Sequence, residues 1–200
     1  VALMLAKAGA DVACAATQAE NCAGVVAEIL ALGRKAVALG GNVAVTADVE
    51  RLFREAEAAL GPVAMVVANA GISQPRPLLE MSDADFDDVV AVNTRSVFLC
   101  ARAFGQRRQA MGGGGSFLAI GSIAGIDAFP NRLSYCASKA AVHHMVRVLA
   151  CEWASMNTRV NAIAPGYIET DMLTQRIATG DVDMASLQRR IPQGVMGQGT

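Results

Sequence analysis

The stretch Ser116-Phe117-Leu118-Ala119-Ile120-Gly121-Ser122 decides the fold. It is an apolar run of strand length, too short for an independent helix. The glycines Gly112 to Gly115 supply a turn before it, and Gly121-Ser122 ends it. Downstream, Ser138 to Ala154 is apolar around most of a helical circumference, and Arg159 to Ile163 is the next strand-like run. Strand, helix and strand in this order predict two parallel strands joined by a helical crossover.

The same alternation extends upstream. Val1 to Ala8 reads as a helix end closed by Gly9. Asp11 to Ala16 is a short strand, Glu20 to Leu32 a helix with Gly33 at its C′ position, and Ala36 to Leu39 another strand. Thr46 is expected to cap a helix that runs to Leu60, where Gly61-Pro62 stops it. Val63 to Ala68 is a buried strand. Ser82 and Asp85 form a capping-box pattern, with Met81 placed to staple onto Phe86, at the start of a helix reaching about Ala110. The expectation is one α/β domain over residues 1–200, with a parallel sheet covered on both faces.

Composition supports a buried core and narrows the function classes. Apolar residues make up 53% of the 200 residues, and aromatic residues only 4%. The net charge of −1 offers no basic field for a nucleic acid. No apolar run has the length of a membrane span. The five cysteines include no CxxC pair, and buried reduced thiols in a cytoplasmic protein are the expectation. Gly112 to Gly115 precedes a strand, whereas a phosphate cradle needs glycines between a strand and a helix N-terminus, so it reads as a surface turn.

Tyr135 and Lys139 lie four apart and share one helix face. A phenol exchanges its proton slowly at neutral pH, and a neighbouring ammonium favours the phenolate. Such a pair suits acid/base work, although two residues at this spacing are more often a surface contact. Three strand ends add weight. Ser122 in Gly121-Ser122-Ile123-Ala124-Gly125, Asn69-Ala70-Gly71 and Pro165-Gly166 each follow an apolar run. Ligands of open parallel sheets bind beyond the carboxyl ends of the strands.

With these residues in place, the chain resembles the short-chain dehydrogenases/reductases. Tyr135-Cys136-Ala137-Ser138-Lys139 matches their YxxxK signature, and Asn69-Ala70-Gly71 their NAG motif. Ser122 stands at the spacing of their serine, and Asn93 in Val92-Asn93-Thr94 matches their asparagine. Pro165-Gly166-Tyr167-Ile168-Glu169-Thr170 resembles their PG segment. The resemblance implies a Rossmann-type doubly wound fold. It also implies hydride transfer between a nicotinamide cofactor and an alcohol or carbonyl. Tyr135 would exchange a proton with the substrate oxygen, and Ser122 would hydrogen-bond that oxygen. Lys139 would assist Tyr135 and hold the nicotinamide ribose. Asn93 would anchor a water linking Lys139 to solvent. Cofactor contacts would come from Thr17, Asn42, Val43, Asn69, Ala70, Gly71, Tyr135, Lys139, Pro165, Gly166, Ile168 and Thr170.

Among subfamilies, the beta-ketoacyl-[acyl-carrier-protein] reductases look nearest, through Ala16-Thr17 to Glu20-Asn21 and Ile168-Glu169-Thr170-Asp171-Met172. That resemblance implies reduction of a 3-oxoacyl thioester in fatty acid biosynthesis. Oxidation of an alcohol, polyol or sugar with NAD(H) is the alternative. A reading of another class is an inactive fragment or paralogue serving only in assembly. The complete set Asn93, Ser122, Tyr135 and Lys139 opposes the paralogue, while a missing glycine-rich turn keeps the fragment open.

The family's TGxxxGxG turn would precede residue 1, and Pro192 to Thr200 resembles the start of a segment that continues with a helix and a strand. The expected sheet therefore lacks its first strand and its C-terminal strand. No Asp or Glu stands at Ala16-Thr17, where an acid would bind the ribose 2′-hydroxyl of NAD, so NADP(H) is favoured over NAD(H). After Pro165-Gly166, a specificity segment is expected from Met172 to about Gln193, with Met172, Leu173, Ile177 and Met184 lining an acyl pocket. His143 and His144 point about 100° apart on a helix and are read as packing rather than as metal ligands. A homotetramer is expected through helices 86–109 and 138–154, the first presenting a stripe of Val90, Val97 and Ala101.

Overall fold

The computed structural model describes residues 1–170, 173–174, 177 and 184–198. Its chain divides into two compact units, Val1–Ile163 and Ala164–Thr200. The first unit alternates helices and strands in the expected order. Its helices are α1 (Ala2–Lys7), α2 (Ala23–Ala31), α3 (Thr46–Leu60), α4 (Asp83–Val90), α5 (Ser96–Ala110) and α6 (Leu133–Glu152). Its strands are β1 (Val12–Ala16), β2 (Ala36–Gly40), β3 (Met65–Ala68), β4 (Gly115–Ile120) and β5 (Thr158–Ile163). All strand pairs are parallel. β1 pairs with β2, and β4 lies between β3 and β5.

Helix ends follow the sequence where its signals are local. Gly9, Gly33 and Gly61 have φ of +97°, +74° and +85°, a conformation that costs glycine little and closes the helices before them. The Ser82/Asp85 capping box is present with both of its reciprocal hydrogen bonds. Two expectations fail. Val45, not Thr46, is the N-cap of α3, and no side chain caps it. Helix α6 begins at Leu133 rather than Ser138, so Tyr135 lies inside its first turn.

The helix expected from Ser82 to Ala110 is continuous but not uniform. A π-helical turn, Ala91–Arg95, is inserted between α4 and α5. Such turns widen the helix by one residue and recur at functional positions. Here the turn carries Asn93, which has no exposed surface.

The main core lies around β4. Phe104 of α5, Phe117 of β4 and Trp153 after α6 form a triangle with ring centroids 6.1 to 6.2 Å apart. Val97 and Ala101 belong to this core, at 3% and 2% exposure. This corrects the expected assembly stripe. The apolar side chain that α5 presents to solvent is Phe98, one residue on, and α6 presents Val148. Helix α5 is covered on more than one side, since Ser96, Ala103 and Phe104 are buried as well as Val97 and Ala101.

The second unit holds β6 (Ile168–Glu169), α7 (Met184–Gln188) and β7 (Gly197–Gln198), with β6 and β7 parallel. Met172 and much of the expected specificity segment lie outside the described residues. No helix of the described residues is long and apolar enough to cross a membrane.

Candidate active site

Four chain segments meet around Lys139. Its ammonium donates to the Ile120 carbonyl at the end of β4, at 2.7 Å, and lies 5.8 Å from the centre of the Tyr135 ring. A Cβ on Gly71 would sit 3.4 Å from the same nitrogen and 3.3 Å from Asn93 Oδ1. The loop after β3, the π turn, the end of β4 and the first turns of α6 thus converge. Lys139 is 4% exposed, and burial pulls its pKa below the ordinary lysine value, because an ammonium in low dielectric loses hydration.

Asn93 locks this corner. Its Oδ1 accepts from the Ile72 N–H at 2.8 Å, and its Nδ2 donates to the Ile72 carbonyl at 2.9 Å and to Ser138 Oγ at 3.0 Å. The Ser138 hydroxyl in turn donates to the Tyr135 carbonyl at 2.8 Å. A chain of hydrogen bonds therefore runs from the Asn69-Ala70-Gly71 loop through Asn93 and Ser138 to the backbone of Tyr135. Two residues beyond Asn93, Arg95 Nε donates to the Ala44 carbonyl at 3.2 Å. The loops after β2 and β3 are both tied to one turn.

Ser122 follows the end of β4 in extended backbone, 8% exposed. Its Oγ accepts from the Ala124 N–H at 3.1 Å. One lone pair is thereby engaged, and the hydroxyl proton stays available to a substrate oxygen.

The remaining expected contact residues occupy strand ends. Thr17 is exposed immediately after β1. Asn42 follows β2, with its backbone N–H held by Asp48 at 2.8 Å and its Oδ1 held by the Ala44 N–H at 2.9 Å. That hydrogen bond from Asn42, and then Arg51, hold the Asp48 carboxyl below its ordinary pKa. Val43 is half-buried, whereas Asn69, Ala70 and Gly71 are exposed. Pro165, Gly166, Ile168 and Thr170 belong to the second unit.

These residues fit a nicotinamide dinucleotide. Gly71 leaves open the space next to Lys139 and Asn93 that a side chain would fill, and a buried ammonium faces it. Ala16-Thr17 puts no carboxylate at the end of β1. Tyr135 and Lys139 share the start of α6, Lys139 reaches the end of β4, and Ser122 follows that end. A phenol, an ammonium and a hydroxyl are the groups that can hydrogen-bond a carbonyl oxygen and exchange a proton with it.

Two residues near the site escaped the sequence reading. Ser138 lies inside the YxxxK motif, but its link to Asn93 spans 45 residues and has no local signature. His143 reads as packing in the sequence, yet its Nε2 accepts the Ser122 N–H at 3.3 Å. Its position four residues after Lys139, on the same helix face, was the available signal.

Comparison with known proteins agrees with this geometry. The family model described as short chain dehydrogenase matches residues 1–180. Galactitol 2-dehydrogenase (L-tagatose-forming) of Cereibacter sphaeroides is 43% identical over 155 residues, 72% of this chain and 60% of that protein. A 3-oxoacyl-[acyl-carrier-protein] reductase of Synechocystis sp. is 37% identical over 172 residues, 86% of this chain and 69% of that protein. A crystal structure of a putative short-chain alcohol dehydrogenase from Sinorhizobium meliloti superposes with a TM-score of 0.92 at 35% identity, covering 99% of this chain and 78% of that one. The doubly wound parallel fold, the motifs and these likenesses converge: the chain belongs to the short-chain dehydrogenase/reductase family.

Proposed function

We propose that the protein transfers a hydride between NADP(H) and a carbonyl or secondary alcohol, with Tyr135 as the proton donor and acceptor. The observation that carries this is the convergence of Lys139, Tyr135, the Ser122 strand end and the Gly71 gap around one point. The nicotinamide, when bound, supplies the hydride. Everything else falls to the chain. Ser122 donates a hydrogen bond to the substrate oxygen where negative charge grows during reduction. Tyr135 delivers the proton to that oxygen. Lys139 favours the phenolate left behind and holds the ribose. Asn93 anchors a water beside Lys139 while it fixes Ile72 and Ser138. Asn69, Ala70 and Gly71 give backbone approach to the cofactor, and Asn42 and Val43 border its adenine. Thr17 takes the place of the acid that would select NAD(H). For Pro165, Gly166, Ile168 and Thr170, cofactor contact rests on the family resemblance alone.

For the substrate, the likeness to the 3-oxoacyl-[acyl-carrier-protein] reductase supports reduction of a 3-oxoacyl thioester. A second reading, oxidation of a polyol or sugar, is supported by the 43% identity to the galactitol 2-dehydrogenase. Steady-state kinetics with acetoacetyl thioesters and NADPH, set beside a polyol and sugar panel with NAD and NADP, separates the two. Higher kcat/KM on the thioester upholds the first, and a preference for polyols replaces it with the second. No turnover on either class would reject both substrate readings.

We further propose a cytoplasmic homotetramer. Phe98, Met145, Val148 and Leu149 line an open apolar groove between α5 and α6, with Phe98 49% and Val148 43% exposed. A second copy would bury these side chains.

A further inference from the structure

Gly121 and His143 approach more closely than any side chain on residue 121 would allow. A Cβ there would overlap the imidazole Nε2 and lie 2.5 Å from Cδ2. The ring therefore lies directly against the backbone at the end of β4. It does so with a polar atom, since Nε2 accepts the Ser122 N–H at 3.3 Å.

The backbone of this strand end is held at three successive residues. The Ile120 carbonyl accepts from Lys139 at 2.7 Å, the Gly121 N–H donates to the Ile163 carbonyl at 2.8 Å, and the Ser122 N–H donates to His143. Lys139 and His143 are one helical turn apart on α6, so one face of that helix supplies two of the three restraints. The Ser122 hydroxyl is restrained separately by the Ala124 N–H.

We propose that His143 is a positioning residue for Ser122: its neutral ring, with the proton on Nδ1, accepts the Ser122 N–H and so fixes the direction of the Ser122 hydroxyl. The proposal rests on the reading of Ser122 as donor to the substrate oxygen. An imidazolium could not accept this bond, because both of its nitrogens are donors. The surroundings favour the neutral form. Burial lowers the His143 pKa, and the charges of Arg147 and Lys139 lower it further. Ser122 is 8% exposed, so its N–H has little access to water if His143 withdraws.

Side-chain geometry supplies the test. A Gln at 143 can place an acceptor near the Nε2 position. An Asn falls short of it, and a Leu fills much of the space but accepts nothing. In 15N-histidine NMR of the wild-type protein, His143 should be the neutral Nδ1–H tautomer, and the Nε2–H tautomer or an imidazolium at neutral pH would overturn the proposal. In steady-state kinetics, His143→Leu and His143→Asn should lower kcat roughly 10- to 100-fold, as expected for a misplaced catalytic hydroxyl, while KM for the cofactor moves less than about twofold. His143→Gln should recover most of the lost kcat. Equal losses in all three variants, or no loss in any, would defeat the positioning role. Tyr135→Phe is assayed alongside. Its inactivity with unaffected His143 variants counts against His143 alone, whereas full activity of Tyr135→Phe counts against the oxidoreductase reading. The tautomer measurement decides the contact even where a variant folds poorly.

Discussion

Asn93 clasps Ile72 by both backbone groups, accepting from its N–H at 2.8 Å and donating to its carbonyl at 2.9 Å. The side-chain amide takes the place of a neighbouring strand for one residue of the loop after β3. This makes Asn93 a structural element as well as a site residue. It lies between the Asn69-Ala70-Gly71 loop and Ser138, and the π turn presents it there.

Replacing Asn93 by Ala leaves the half-buried Ile72 backbone and the buried Ser138 hydroxyl without this partner. Unsatisfied buried polar groups cost about 1–3 kcal/mol each, with part recovered by water entry, so Asn93→Ala should lose about 2–4 kcal/mol. Urea unfolding measures it. A loss well under about 1 kcal/mol would mean that the clasp adds nothing net to stability.

Tyr135→Phe removes a hydroxyl and little else. The Ser138-to-Tyr135 hydrogen bond uses the Tyr135 backbone carbonyl and survives the change. Cofactor affinity should therefore stay near wild type, while kcat falls about 10²- to 10⁴-fold, the span of a lost general acid/base. Titration of cofactor fluorescence together with steady-state kinetics separates the two effects. Near-normal kcat would contradict the role proposed for Tyr135.

The strands and their parallel pairing, and the closeness of Tyr135, Lys139 and the end of β4, were legible because each rests on a local signal. Apolar runs bounded by glycine mark the strands, and short spacings mark the motif. What was not legible depends on contacts between distant segments. The π turn at Ala91–Arg95 is absent from the periodicity, because the residues on either side are ordinary helix formers. It is accommodated by hydrogen bonds to Ile72 and Ser138, which lie 21 and 45 residues from Asn93. Nor does periodicity show that α5 is covered on more than one side, with Val97 and Ala101 in the core and Phe98 outward. His143 reads as core or subunit-contact packing in sequence, since nothing local shows that Gly121 makes room for its ring.

Gly105 illustrates the same dependence inside the core. A Cβ there would come within 2.6 Å of Trp153 Cζ2, in the aromatic triangle with Phe104 and Phe117. Alanine favours helices over glycine, but overpacking a well-filled core costs about 1–3 kcal/mol and should dominate. Gly105→Ala is expected to lower the thermal midpoint. A raised midpoint would show that Trp153 can shift freely.

Phe98 tests the proposed assembly. It lies at the rim of the α5/α6 groove with the Arg102 guanidinium 5.0 Å above its ring. Phe98→Glu places a carboxylate where two apolar faces would meet, so light scattering should shift from tetramer towards smaller species with the secondary structure unchanged. An unaltered tetramer would move the interface elsewhere.

His143 also predicts how stability varies with pH. Its pKa is lowered in the folded protein, first by burial and then by Arg147 and Lys139, from an ordinary value of 6.5. Between the folded value and 6.5, the unfolded chain binds more protons than the folded one. Stability therefore rises with pH through that window. The contribution is fully present above 6.5 and is lost as pH falls through the folded value. Protonation would also turn the Nε2 acceptor into a donor facing the Ser122 N–H. His143→Gln removes the titrating group while keeping an acceptor. Any advantage of wild type over His143→Gln should thus shrink on acidification below 6.5 and hold constant above it. Urea midpoints measured for both proteins across this range check the sign. A gap that widens towards acid would mean that the folded protein stabilises the imidazolium, contrary to the contact with Ser122.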